Sequence, residues 1–448
     1  MSYREHAFPS RRFLYIILPL LAITLVAKLS PTGGAFLGFM LAGLLSALAP
    51  IFGLPVVLLG VGLNNLTFVF GLQFGWILVA GAACGAMFYI GRNRENARVD
   101  LAVFYLIIGF VILEVGGGIF RGYERLDRLF ALVTVLVYLG ILGASRPEES
   151  LGKWLAMEPH RALIYLLGIT GCAIFLNILV MLSADEFNMS RVGELGLSIG
   201  DTESSPRSLS NILGLVIVAC VGSAFSMSTH VKDKTMWLAF GIICMFGLFY
   251  TGSRMPTIST ILGVGMAFFM QLALYGRSLK CGTILWSLLS GLLIVSLAWA
   301  ISVLGPGSLP FIDSSVMEFR LLRAPEIESN IRLSMWAKYL SESSYLHILF
   351  GSGIGYIHNP HSLFVGALAA FGLIGIFMLL AFVFTLALAA LKIKSMVSLA
   401  LITYILLALT SSSDIDKAYF WIMIAVVIVL IRVTRSSHAS LEGDASGG

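Results

Sequence analysis

Apolar residues run along this chain in long unbroken stretches, separated by short polar breaks. The stretches lie near 13–29, 33–50, 52–72, 74–91, 100–118, 128–144, 162–183, 211–229, 235–252, 256–275, 282–304, 362–391, 396–412 and 418–433. A bilayer core needs about 20 mostly apolar residues to be crossed as a helix. Lipid offers no partner for a bare backbone amide, so stretches of this length predict helices. The three between 33 and 91 are Gly-rich and crowded, so one pair there is expected to be re-entrant or half-buried. The pattern predicts an all-α polytopic membrane protein with 12–14 transmembrane helices and a large helical extracytoplasmic loop. The expected divisions are 1–304 for the first helices, 305–360 for the loop, 361–433 for the last helices and 434–448 for a disordered cytoplasmic tail.

Composition agrees. The 448 residues are 58% hydrophobic and 12% charged, and the mean hydropathy is +0.94. Soluble domains carry about a quarter charged residues. The net charge of +5 is scattered and shows no basic block of the kind that marks nucleic-acid binding. Cys84, Cys172, Cys220 and Cys244 fall in apolar runs and Cys281 beside a basic turn, which speaks against a disulfide framework. The run after Arg11 and Arg12 reaches Lys28 without a small-residue cleavage site and reads as a retained span.

Basic residues set an orientation. With the N-terminus inside, seventeen Lys and Arg fall in inner segments, Arg92, Arg146, Arg161, Lys232, Lys392 and Arg432 among them. Eleven fall outside, including Arg207, Arg254, Arg320, Arg323 and Arg332. Two outer loops are long. The one at 184–210 is polar and is assigned no chemistry. In the one at 305–360, Ile327, Ile331, Met335 and Tyr339 recur on one helical face, and Trp336 suits an interface, so an amphipathic helix along the outer surface is expected.

Residues 351–375 read GSGIGYIHNPHSLFVGALAAFGLIG. Gly351, Gly353 and Gly355 make a tight loop. Asn359 is a good N-cap and Pro360 fits the first helical position, which puts His361 in the first turn of the next span. Unpaired amides and the helix dipole at that point favour an anion and disfavour imidazolium, leaving a neutral base. The local alternative is a histidine that only hydrogen-bonds to its surroundings. His358 and His361 lack a glutamate between them, which argues against a metal site.

His361-Ser362, nine residues, then Gly372-Leu373-Ile374-Gly375 resembles the signature of the O-antigen ligase/polymerase superfamily. The order Arg332…Trp336, glycine loop, His361 resembles its polymerases. Thr251-Gly252-Ser253-Arg254 resembles the Ser-Arg found earlier in these proteins, although Met255-Pro256 replaces the usual small residues. The resemblance covers about 250–380. It implies a glycosyltransferase of the bacterial inner membrane with its site facing the periplasm. The donor would be a glycan on undecaprenyl diphosphate. The acceptor would be a glycan hydroxyl or, for a ligase, lipid A-core. A chain-length regulator would be a further partner, and no cofactor or metal is implied. His361 would take the acceptor proton. Arg254 and Arg332, with Arg320 and Arg323 behind them, would hold the diphosphate through planar bidentate donors. Structural accounts also exist: Glu328 can pair with Arg332 one turn on, Arg254 can anchor a span end by snorkelling, and Gly372 and Gly375 can allow close helix packing. A transporter or flippase remains the reading of another class; Asn64, Asn65 and Gln73 lie in the early Gly-rich region.

Overall fold

A computed structural model describes residues 10–62, 68–69, 72–93, 108–113, 126–155, 157–182, 187–191, 194–199, 202–203, 207–225, 231–251, 253–275, 334, 337–353, 362–409 and 418–445. The described chain is overwhelmingly helical. In order come α1 (Ser10–Leu29), α2 (Pro31–Leu48), α3 (Pro50–Gly62), α4 (Phe74–Arg92), α5 (Leu126–Ala144), α6 (Pro147–Leu155) and α7 (Pro159–Leu182). They are followed by α8 (Arg207–Ala224), α9 (Val231–Tyr250), α10 (Arg254–Tyr275), α11 (Tyr345–Phe350), α12 (Leu363–Lys392), α13 (Met396–Leu409) and α14 (Ala418–Ala445). Among the described residues, four helices are long and apolar enough to cross a membrane: Phe74–Arg92, Pro159–Leu179, Phe364–Lys392 and Ala418–Ser436. The expected run at 282–304 lies outside the described residues.

Local signals explain the helix starts. Ser30 caps α2, its side chain accepting from the amide of Gly33 at 3.1 Å, with Pro31 at the first position. In α10, Pro256 sits in the first turn, where its missing N–H would have had no partner anyway. The expected polar loop at 184–210 is part strand: β1 (Phe187–Arg191) pairs antiparallel with β2 (Glu194–Ile199), and β2 with β3 (Thr202–Glu203). The last helix continues to Ala445, past the expected start of a disordered tail at 434.

In the Gly-rich region, where a re-entrant or half-buried pair was expected, helix α3 is short and enclosed. It has 13 residues and is buried nearly throughout. A helix wrapped on all sides by protein need not match the lipid thickness. It packs with α14, in which residues 418–431 are all buried. Around this centre, α2 and α4 approach backbone to backbone. A Cβ on Gly81 or Gly85 would fall on the carbonyls of Phe39 or Gly43, the close contact that two small residues four apart allow.

Helices α7 and α9 lie parallel and in register. Arg161 meets Asp233, Tyr165 meets Trp237, Gly168 meets Phe240, Cys172 meets Cys244 and Phe175 meets Gly247. Every pair is 72 residues apart, and the steps alternate four and three, the repeat of a coiled-coil seam. Gly opposite Phe in both directions fills the seam. At its end, the Arg161 guanidinium bonds the buried Asp233 carboxylate at 2.8 and 3.0 Å, and the Tyr165 hydroxyl donates to it at 2.7 Å.

The outward surface is apolar. Phe377, Phe384 and Leu388 of α12 are exposed, as are Leu18 of α1 and Leu44 of α2. Water would penalise such a surface; hydrocarbon does not. The chain is a membrane protein.

Candidate functional site

The helices order the ends of the bundle. The carbonyl of Pro50, at the start of α3, accepts the Tyr138 hydroxyl of α5 at 2.9 Å, six residues before the end of α5. Helices α6 and α7 follow from that end, and α9 starts beside α7. Helix α8 is antiparallel to α9, with Val216 beside Gly171 and Cys244, and Val221 beside Gly241. Helix α13 is antiparallel to α8, with Val397 beside Gly222 and Tyr404 beside Gly214. One end of the bundle therefore collects Arg146, Lys153, Arg161, Lys232, Lys234, Lys392 and Lys394. The other end holds the starts of α8 and α10, with Arg207 and Arg254 as their first residues.

The glycine loop stands at this second end. Gly351 ends the six-residue α11, whose start is capped by Ser344. Gly351, Gly353 and Gly372 have φ of 79°, 87° and 68°, and with ψ of −179° and −170° Gly351 and Gly372 stand where L side chains cost about 1–3 kcal/mol. Gly372 breaks α12, and the break strips the carbonyls of Ala369 and Ala370 of their helical donors. The loop supplies new ones: the Ser352 amide donates to Ala369 at 2.7 Å and the Gly353 amide to Ala370 at 3.1 Å. Gly351 and Gly372 then meet with no room for a Cβ on either. Close packing was the expectation for Gly372. The structure adds that the glycine loop and the Gly372 turn are two halves of one lock.

The break also redirects the chain. Phe364 lines the same apolar cavity as Leu379, Val383 and Leu386, with Ile402 of α13 and Phe420 of α14. In a straight helix Phe364 and Val383 would be about 28 Å apart. The segment before Gly372 therefore turns back toward the segment after it. Gly375 packs at the turn, where a Cβ would meet Phe371 and, at 3.5 Å, Leu113. Phe371 rests edge-on against Phe110, which rests against Trp421.

The helix start differs from the expected one. Ser362, extended at φ −151° and ψ 128°, is the N-cap, and α12 begins at Leu363. Asn359 was the expected cap. Its place, with Pro360, His361 and Gly355, lies outside the described residues, as do Arg320, Arg323, Arg332, Trp336, Asn64 and Asn65. Ser362 itself is buried. Of the expected amphipathic helix, 337–342 is helical, and Tyr339 is buried with its hydroxyl 3.5 Å from the Leu368 carbonyl. The structure thus brings the start of α10 and the Gly351–Gly372 lock to one end of the bundle.

Sequence reasoning missed the polar seam beneath that end. The Tyr404 hydroxyl donates to the Asn211 carbonyl at 2.7 Å, beside Thr260 and Gly214. It also missed the Arg161–Asp233 pair. The available signal was two charges of opposite sign, each two residues into its helix. No protein-family model matches the chain, and no curated protein matches it.

Proposed function

We propose that this protein is a membrane glycosyltransferase of the O-antigen polymerase/ligase type, polymerising oligosaccharide repeat units carried on undecaprenyl diphosphate. The acceptor hydroxyl attacks the anomeric carbon of the donor sugar. The bond from that carbon to the diphosphate breaks, the lipid diphosphate leaves, and His361 takes the hydroxyl proton. Arg254 and Arg332, with Arg320 and Arg323, offset the charge that builds on the diphosphate.

One observation supports this reading most. The helix start that carries Arg254 and the buried Gly351–Gly372 lock stand at the same end of the bundle, opposite the end that collects Arg146, Lys153, Arg161, Lys232, Lys234, Lys392 and Lys394. Basic residues favour the cytoplasmic side, which supports reading this end as the extracytoplasmic one, where the donor glycan would be presented.

The test uses the full chain in vesicles with a lipid-linked repeat unit. Chain growth on undecaprenyl diphosphate is expected, and His361→Ala should abolish it at normal protein level. Product made as before by that variant would sink the enzyme reading and favour transport. Transfer to added lipid A-core in place of chain growth would make the protein a ligase. A reporter after Ser308 should be extracytoplasmic.

A further inference from the structure

Two helices present their N-termini side by side at the glycine-loop end. Gly214 of α8 lies against Thr260 of α10, Val218 against Gly263, and Gly222 against Ala267. The offsets are 46, 45 and 45 residues, so α8 and α10 run parallel and in register. Arg207 opens α8 seven residues before Gly214, and Arg254 opens α10 six residues before Thr260. At about 1.5 Å per residue, the two starts are level to within one residue. At the opposite end the parallel starts of α7 and α9 hold the Asp233 carboxylate. At the starts of α8 and α10, too, two positive helix ends add.

A helix end alone is a weak signal. The second observation lies in the seam between the two helices. Asn211 is one turn above Gly214 on the face that meets α10, and helical side chains lean toward the N-terminus. It is 1% exposed, and its Oδ1 has no partner. Its backbone carbonyl is already used by Tyr404, so the free atom is the side-chain acceptor. Ser259, one turn above Gly263 on α10, is also fully buried, with its hydroxyl unpartnered. A buried acceptor left without a donor weakens the fold unless something supplies one. Two such groups below paired helix starts call for a ligand that brings anionic oxygens to the helix ends and a hydroxyl to the seam.

We propose that the starts of α8 and α10 form one binding site for a glycosyl diphosphate, with the diphosphate over the helix ends and a sugar hydroxyl donating to Asn211. Arg207, at the first position of α8, joins Arg254 at this site. The identity of the ligand rests on the transferase reading; the placement of the helix ends does not.

Calorimetry on the full chain in nanodiscs tests this with two probes, inorganic pyrophosphate and a short-chain prenyl-diphosphate-linked N-acetylglucosamine. Arg207→Gln should weaken both by about tenfold, the scale of one lost charged contact, and Arg207→Lys should restore part of the loss. Asn211→Leu keeps the backbone carbonyl that Tyr404 uses. It should weaken the sugar-bearing probe alone. Lys153→Gln, at the opposite end and exposed, should change neither. Wild-type affinity for both probes in Arg207→Gln and Asn211→Leu, at unchanged melting temperature, overturns the site, as does no binding by the wild type. If Asn211→Leu fails to fold, the Gln and Lys variants at 207 decide alone. Pyrophosphate binding that depends on Arg207, with no sugar transfer in vesicles, would keep the site and sink the transferase. Transfer untouched by Arg207→Gln would do the reverse.

Discussion

Replacing Gly372 with alanine tests the lock between the glycine loop and the broken helix. Three costs can be read from the structure. The backbone at φ 68° and ψ −170° lies in a region open almost only to glycine and disfavours an L side chain by about 1–3 kcal/mol. The new Cβ would fall on the Leu349 carbonyl and the Gly351 amide. Both are backbone groups, so relief requires the loop to move. Moving it breaks the bonds from Ser352 to Ala369 and from Gly353 to Ala370, each contributing about 1 kcal/mol. The total is roughly 3–5 kcal/mol, which should lower the melting temperature in detergent by several degrees. Gly265→Ala is the control. Gly265 is helical with nothing within 4 Å of its added Cβ, so alanine there should be neutral or stabilise by up to about 1 kcal/mol. If Gly372→Ala melts with Gly265→Ala, the lock does not hold the loop and the account of the break is wrong.

Two further outcomes follow from the buried polar contacts. Arg161→Ala strands the Asp233 carboxylate, whose side chain is only 4% exposed, and should cost about 3–5 kcal/mol. Adding Asp233→Leu should recover most of that loss in the same melting assay, and additive losses would mean the pair is not coupled. Tyr404→Phe removes the donor to the Asn211 carbonyl and should cost about 1–2 kcal/mol; an unchanged melting temperature would show that this contact does not tie α13 to α8.

The membrane class and the helical content were legible in the chain because both follow from the local arrangement of apolar residues. The glycines crowded between 33 and 91 signalled departure from plain spans, but not that α3 would be a short helix enclosed by protein. The positions of helix caps were less legible. Asn359 with Pro360 is a better local cap signal than Ser362, yet α12 starts after Ser362. The helix there is only nine residues long before Gly372 turns the chain, so its start answers to that turn as much as to its own cap residue.

Two pairings lay outside the reach of local pattern. Gly372 looks like any small residue in an apolar helix until Gly351 is placed against it, since a positive φ has no signature of its own. Asn211 reads as one polar residue near a span end until α10 comes alongside in parallel register. What the amino-acid order determined by itself was which segments are helices and that they need lipid around them, because solvation of each stretch depends only on its own side chains. What the tertiary structure alone decided was which helix ends meet, and so where the dipoles of α8 and α10 add and where a buried acceptor is left waiting, because those depend on partners tens of residues away.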